Sequence, residues 1–248
     1  MPPCYTTAVS RAVILAAGNG DRFQGPASRS KLLAPVAGTP LLLRTLTSVR
    51  LAGLTHVHLI LGFDADRVRT VAMAGAPEGL TLGFCVNENW QQENGVSVLA
   101  ARDELDGQSF ALLMGDHLFE SQTLRDLLTS PRFQGETLLA IDRQPATPEM
   151  AAEATKVRLS GAHVTAIGKT LDPYDAFDTG LFICHSSIFD ALDQSRADGD
   201  TTLSGGIARL AAKRLVRGVD VGHARWFDID TVDDLAAAER LLRPAWGL

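Results

Sequence analysis

Val13-Ile-Leu-Ala-Ala-Gly-Asn-Gly-Asp-Arg22 runs from an apolar stretch directly into a glycine-rich turn, with Gly25, Arg29 and Lys31 following closely. Glycines allow backbone N–H groups to approach phosphate oxygens, and nearby cations neutralise charge that water would otherwise solvate. A dinucleotide fingerprint of the form G-x-G-x-x-G would need another glycine where Phe23 stands, and the G-K-[ST] ending of a P-loop is missing. A glycine pair after a strand can simply turn the chain. Ala16 and Ala17 before the glycines, Arg22 after them and the Lys31-Leu-Leu-Ala-Pro35 segment point instead to phosphate binding.

Working outward, short apolar runs alternate with amphipathic stretches of helical length. Strands are expected at Ala12–Ala16, His56–Leu61, Leu80–Val86, Phe110–Met114 and Thr137–Ile141. Helices are expected at Leu41–Ala52, Ala65–Ala74, Val96–Leu105 and Gln122–Leu128. This rhythm predicts an α/β fold, a mostly parallel sheet covered by helices with ligands at the carboxyl edge of its strands. From Asp142 to Gly180 the pattern changes to short β-prone pieces at Thr155–Leu159, His163–Ile167 and Thr179–Ile183. Residues 142–180 therefore read as a β-rich flap on a single domain of residues 1–248. Helical pattern returns at Ser187–Leu192, Ser204–Arg214 and Val232–Leu242, the last after a strand-like Ala224–Ile229.

Composition bounds the function. The 248 residues are 46% hydrophobic and 21% charged, ordinary globular usage and enough chain for a core without disulfides or a structural metal. The 23 Lys and Arg against 29 Asp and Glu leave a net charge of -6, which argues against nucleic acid and anionic membrane surfaces as partners. Cys4, Cys85 and Cys184 lie far apart with no C-x-x-C pair, which fits a reducing compartment. No apolar run approaches a membrane span, so a cytoplasmic protein is expected, with a homodimer as a permitted assembly.

Two acidic sites stand far apart in the sequence. Phe110-Ala-Leu-Leu-Met-Gly-Asp116 places a carboxylate where a strand ends, and Trp226-Phe-Asp-Ile-Asp-Thr231 presents Asp228 and Asp230 just before a helix. If the two strands are neighbours, Asp116 and one of the later pair can share Mg²⁺, which prefers hard oxygen ligands. Helix capping competes for Asp230 and Thr231, and more strongly for Asp233 and Asp234. His117 reads as a turn residue.

These residues together carry a family resemblance. Leu15-Ala-Ala-Gly-Asn-Gly-Asp-Arg22, Lys31 with Pro35, and Val36-Ala-Gly-Thr-Pro40-Leu resemble the sugar-phosphate nucleotidyltransferases. Asn94-Gly-Val-Ser97, Leu113-Met-Gly-Asp-His117, Ile141-Asp-Arg143, Glu153-Ala-Thr-Lys156, Ile167-Gly-Lys169 and Tyr174-Asp-Ala-Phe-Asp178-Thr-Gly180 resemble the CTP:inositol-1-phosphate cytidylyltransferases. The resemblance implies a Rossmann-like three-layer sandwich with a mixed, mostly parallel sheet, and transfer of CMP from CTP to a phosphate monoester such as inositol 1-phosphate, with release of pyrophosphate and a need for Mg²⁺.

It also implies roles, position by position. Leu15, Ala16, Ala17, Gly18, Asn19, Gly20, Asn94, Gly95 and Ser97 would bind the nucleotide; Arg22, Lys31 and Lys156 would act on the phosphates. Asp116 with Asp230, or Asp228, would hold the metal, and Arg143, Lys169 and Asp178 would face the acceptor. Phosphonate-specific cytidylyltransferases share much of this scaffold, so a small phosphonate is an alternative acceptor, and a nucleotide-sensing module without turnover is a third reading.

Overall fold

A computed structural model describes residues 8–20, 23, 30–105, 107–144, 148–222 and 226–242. In chain order its elements are β1 (Arg11–Ala16), β2 (Pro35–Val36), β3 (Thr39–Pro40), α1 (Leu41–Leu51), β4 (His56–Leu61), α2 (Ala65–Gly75), β5 (Thr81–Val86), α3 (Asn94–Leu99), α4 (Arg102–Leu105), β6 (Ser109–Met114), β7 (His117–Phe119), α5 (Ser121–Thr129) and β8 (Thr137–Asp142). They continue with α6 (Pro148–Glu153), β9 (Lys156–Ser160), β10 (His163–Gly168), β11 (Ala176–His185), α7 (Ser187–Ala197), α8 (Leu203–Ala212), β12 (Val216–Asp220), β13 (Trp226–Asp228) and α9 (Val232–Leu242).

The main strands read as unbroken apolar runs because both faces of the sheet are covered. Successive side chains point to opposite faces, and the burial follows that period. Ala12 and Ile14 of β1, Val57 and Leu59 of β4, Ala111 and Leu113 of β6, and Leu181 and Ile183 of β11 enter one core, which also holds Leu42 and Leu46 of α1 and Leu124 of α5. Val13, Ile60, Phe110, Leu112, Phe182 and Cys184 enter the other, against Ile188 and Leu192 of α7 and Ile207 and Leu210 of α8. The result is three layers, helices on each face of a nine-stranded sheet of order β5-β4-β1-β6-β11-β8-β12-β10-β9.

Strands β5, β4, β1, β6, β8, β12 and β9 run one way, and β11 and β10 run against them. The expected mixed, mostly parallel sheet is present. β11 also pairs with β9, so the far side of the sheet curls back on itself.

Segment 142–180, expected as a β-rich flap within the domain, contributes strands to the main sheet. Its β9 and β10 are strands of the same sheet, and Thr179–Ile183 lies within the ten-residue β11, wedged between β6 and β8 with Leu181, Phe182 and Ile183 buried. Tertiary pairing absorbs these residues because their apolar alternation continues into both cores. Val96–Leu105 forms two short helices, α3 and α4, in place of one. The pattern at residues 204–214 and 232–242 is helical as expected, with Thr202 capping α8 through Gly205 N–H at 3.0 Å.

Among the described residues no helix is long and apolar enough to cross a membrane.

Candidate active site

Strands β1 and β6 are parallel neighbours, so the turns that follow them, from Ala17 and from Gly115, emerge side by side. Gly115 N–H donates to Leu15 C=O at 2.9 Å, which seats Asp116 beside the glycine-rich turn. Ile229 N–H in turn donates to Asp116 C=O at 3.1 Å, and the two-stranded ribbon of β7 with β13 pairs His117 with Asp228. Two acidic segments more than a hundred residues apart in sequence therefore flank one another, as their proposed shared role requires.

Between them stands Lys31. Its Nζ lies 2.7 Å from Asp116 Oδ2 and 2.7 Å from Asp230 Oδ1, and its side chain is 9% exposed. Burial works to lower the lysine, but Asp116 and Asp230 outweigh it and hold the ammonium well above its ordinary range. Burial likewise works to raise Asp116, and Lys31 and His117 prevail and lower it.

Asp116, His117 and Asp228 form a second arrangement, each placing one ligand atom within 4.8 Å of the others. His117 is buried; its Nδ1 lies 2.9 Å from Thr179 C=O, its Nε2 3.6 Å from Asp228 Oδ2, and its ring stacks on Trp226 at 6.0 Å. Burial opposes the imidazolium, yet Asp228 and then Asp116 and the Thr179 carbonyl push the histidine up to about 9. Trp226 Nε1 is anchored on Asp142 at 2.9 Å. Gly180, at φ +77°, lies beneath the imidazole; a Cβ there would come within 2.4 Å of His117 Nδ1. Asp228 Oδ1 is buried without a hydrogen-bond partner, an orphan acceptor suited to a cation. The two carboxylates of this group fit a hard divalent ion, with His117 Nε2 beside them.

These residues line a cleft of about 550 Å³ that also receives Asn94, Glu153, Thr155, Lys169, Asp178 and Phe227. Asp178 accepts from Gly180 N–H at 2.7 Å; burial pushes its carboxyl up to about 6, restrained by that N–H and by His117. Asn94 Oδ1 accepts from Leu203 N–H at 2.9 Å, leaving its amide NH₂ as a donor.

Other expected site residues do not line this cleft. Ser97 is buried and accepts from Asn87 Nδ2 at 3.0 Å, away from the cleft. Gly95 is there for close packing, since a Cβ would meet Thr201 C=O at 2.6 Å. Leu15, Ala16 and Ala17 form the end of β1 and the first residue of the turn, Ala16 and Ala17 being buried, while Gly18 is exposed and Asn19 and Gly20 are half-buried. Lys156 Nζ donates to Lys169 C=O at 2.8 Å and lies over the Tyr174 ring, and Arg143 Nε donates to Asp220 at 3.0 Å; neither side chain lines the cleft. Arg22 lies outside the described residues.

The sequence reading gave His117 only the part of a turn residue. Its signal was the position directly after Asp116 and before Leu118-Phe119, a polar ring inside a buried three-residue strand. Thr231 and Asp234 do cap α9 as expected, Thr231 N–H donating to Asp234 Oδ2 at 2.7 Å and Asp234 N–H to Thr231 Oγ1 at 3.1 Å.

The family model of the MobA-like NTP transferase domain matches residues 12–213. The chain belongs to this family. Among curated relatives, a bifunctional IPC transferase and DIPP synthase of Rubrobacter xylanophilus is 35% identical over 235 residues, covering 93% of this chain and 51% of that protein. A CMP-5'-(3-aminopropyl)phosphonate synthase of Streptomyces rubellomurinus is 32% identical over 249 residues, covering 94% of this chain and 39% of that protein. This NTP transferase chain thus spans about half the length, or less, of the curated relatives it matches. The solved inositol-1-phosphate CTP transferase of T. maritima superposes with a TM-score of 0.84 at 22% identity, covering 96% of this chain and 97% of that one, which shows a shared fold.

Proposed function

We propose that this NTP transferase is a cytidylyltransferase that moves CMP from CTP to inositol 1-phosphate and releases pyrophosphate. The observation that carries the reading is the Lys31 ammonium clamped between Asp116 and Asp230, two acids that line the cleft, with Gly20 of the glycine-rich turn packed against the lysine side chain. The relatives named for IPC transferase and the T. maritima structure named for an inositol-1-phosphate CTP transferase support this choice of nucleotide and acceptor.

The chemical obstacle is charge. An anionic acceptor oxygen must approach an α-phosphorus already surrounded by negative oxygens, so cations must lie where the phosphates meet. Asp116 and Asp228, with His117 or Asp230 beside them, are the residues that would hold Mg²⁺. Bound there, the ion would supply positive charge to offset the negative charge of the phosphates. Lys31 stays protonated across the working pH range and stands ready to move from its carboxylates to a triphosphate.

Gly18, Asn19 and Gly20 offer backbone to the phosphates, Asn94 offers its NH₂ to the base, and Lys169 and Asp178 face the acceptor. Arg22 and Lys156 are assigned to the phosphates, and Arg143 to the acceptor, by resemblance alone. The acceptor's phosphate is ionised at neutral pH, its second pKa being about 6, so no general base is required. Cys85 and Cys184 are free thiols, in keeping with a cytoplasmic protein, and residues 1–248 are read as one domain.

The relative named for a CMP-phosphonate product supports a second acceptor class, a small aminoalkylphosphonate. The decisive experiment follows pyrophosphate while the protein, Mg²⁺ and each of the four nucleoside triphosphates meet inositol 1-phosphate or the phosphonate. Release that requires CTP and inositol 1-phosphate together is expected. Release with phosphonate alone would transfer the assignment to the second acceptor, and acceptor-independent behaviour throughout would remove it.

A further inference from the structure

We propose that Trp90 is a positioning residue for the nucleotide, holding Ala17, the first residue of the glycine-rich turn, in the place from which the turn meets the phosphates. The proposal rests on the reading of that turn as the nucleotide's cradle. Three parallel strands end side by side there: β1 at Ala16, β4 at Leu61 and β5 at Val86, in register with one another. The residues that follow, Ala17, Gly62 and Asn87, therefore leave the sheet together at its carboxyl edge.

Trp90 reaches back across this edge. Buried Asn87 fixes the loop that carries it: its N–H donates to Leu61 C=O at 2.8 Å, its Oδ1 accepts from Asn89 N–H at 2.9 Å, and its Nδ2 donates to Ser97 Oγ at 3.0 Å. Ser97 thereby anchors the loop. Asn89 C=O accepts from Gln92 N–H at 2.9 Å, which makes a turn with Trp90 at its second position. Glu88, Asn89, Gln91, Gln92 and Glu93 are exposed, whereas Trp90 is half-buried, its ring 5.4 Å from that of Phe63. Trp90 and Phe63 belong to neither hydrophobic core, so their pairing serves the edge of the sheet rather than its interior.

Glycine at position 62 permits the approach. A Cβ there would come within 2.5 Å of Trp90 Cβ, 2.8 Å of the Ala17 carbonyl oxygen and 2.9 Å of Ala17 Cβ, so Trp90 and Ala17 close on the same side of Gly62. Phe63 N–H donates to that Ala17 carbonyl at 2.9 Å, and Ala17 is buried. At the far end of the turn the Lys31 side chain packs on Gly20, where a Cβ would lie 3.0 Å from Lys31 Cγ. Gly18 and Asn19 thus lie between two held points. Glycine-containing backbone has much freedom to lose when a ligand orders it, and fixing its ends beforehand lowers that cost and raises affinity.

Each of the four nucleoside triphosphates is titrated by calorimetry onto the full chain with Mg²⁺ and no acceptor, and the variants are compared using the triphosphate that binds best. Trp90→Ala is expected to weaken that binding about tenfold and to raise the nucleotide's KM in pyrophosphate release by a similar factor, with the acceptor's KM within about twofold of wild type. Trp90→Phe, which keeps a Cβ against Gly62 and a ring beside Phe63, is expected to restore both nucleotide values to within about threefold. Trp90→Leu takes the place of Trp90→Ala if melting shows that the latter does not fold. Binding to Trp90→Ala equal to wild type, an equal rise in both KM values, or a Trp90→Phe variant no better than Trp90→Ala overturns the role of Trp90 and leaves the turn as the cradle. A wild-type chain that binds no triphosphate overturns the cradle and the proposal with it.

Discussion

Lys31 Nζ lies 2.7 Å from Asp230 Oδ1 across 199 residues of sequence. The contact ties the glycine-rich turn to the segment that opens α9, and because Asp116 lies at the same distance from the ammonium, one cation serves two acids. Removing that cation has two consequences. Lys31→Met is expected to lower turnover by roughly 10²- to 10³-fold, the cost of one donor aimed at developing charge. It also leaves two neighbouring carboxylates in mutual repulsion, so its melting temperature without metal falls below wild type and recovers on adding Mg²⁺. Calorimetric melting with and without the ion checks the second effect independently of activity.

Asp116→Asn and Asp228→Asn are isosteric and should leave the fold intact while shifting the Mg²⁺ titration of pyrophosphate release to higher concentration by tenfold or more. Asp230→Asn tests the alternative ligand: a shift as large as that for Asp228→Asn would place Asp230 in the first coordination sphere. Chelating divalent ions with EDTA is expected to abolish the reaction in wild type.

Asp178 predicts a pH dependence of stability. Burial raises its carboxyl to about 6 in the folded protein, against about 4 in an unfolded chain, so the native state binds the proton more tightly. That contribution is fully present below about pH 4 and is lost as pH rises through 6. Above this window the carboxylate is a liability of about 3 kcal/mol. Asp178→Asn, which still accepts from Gly180 N–H, should therefore raise the urea midpoint at pH 7.5 and have little effect at pH 4. An equal effect at both values would show that the carboxyl does not titrate in this window.

Gly180→Ala places a methyl group against the His117 ring at a backbone angle that side chains rarely adopt. The expected result is a stability loss of about 1–3 kcal/mol together with weakened metal dependence, because the imidazole must leave its place between Thr179 and Asp228. Urea unfolding and the Mg²⁺ titration measure the two effects. Stability loss with an unchanged titration would separate His117 from the metal group.

Lys169 lines the cleft, and its carbonyl is held by Lys156 Nζ. Lys169→Ala is expected to raise KM for the acceptor about tenfold while leaving KM for CTP within about twofold, since only one substrate loses a charged contact. Lys156→Ala should give a smaller change of the same kind, acting through the position of residue 169. Steady-state kinetics with each substrate varied in turn distinguishes the two.

The apolar period of β1, β4, β6 and β8 was legible from the residues alone, because a strand buried on both faces must be apolar throughout. So was the glycine-rich exit from β1 beside Lys31, since glycine followed by cations is a local signal. The reversal of β11 was not legible. Its residues 179–183 look like any short β-prone piece, and only pairing with both β6 and β8 reveals a central strand. Ser97 and Gly95 match the family pattern, yet their neighbours Asn87 and Thr201 decide what they do. β7 and β12 escaped notice because a three-residue and a five-residue strand carry too little periodicity to stand out.

By itself the chain determined its layers and nominated the acids of the candidate site, because these follow from hydrophobic period and from chemistry that is local in sequence. Only the tertiary structure decided the partners: that Lys31 lies between Asp116 and Asp230, that His117 joins Asp116 and Asp228, and that Trp90 meets Ala17 at Gly62. Such juxtapositions join residues far apart along the backbone. They depend on strand order, direction and register, which are set by the whole folded chain rather than by any local stretch.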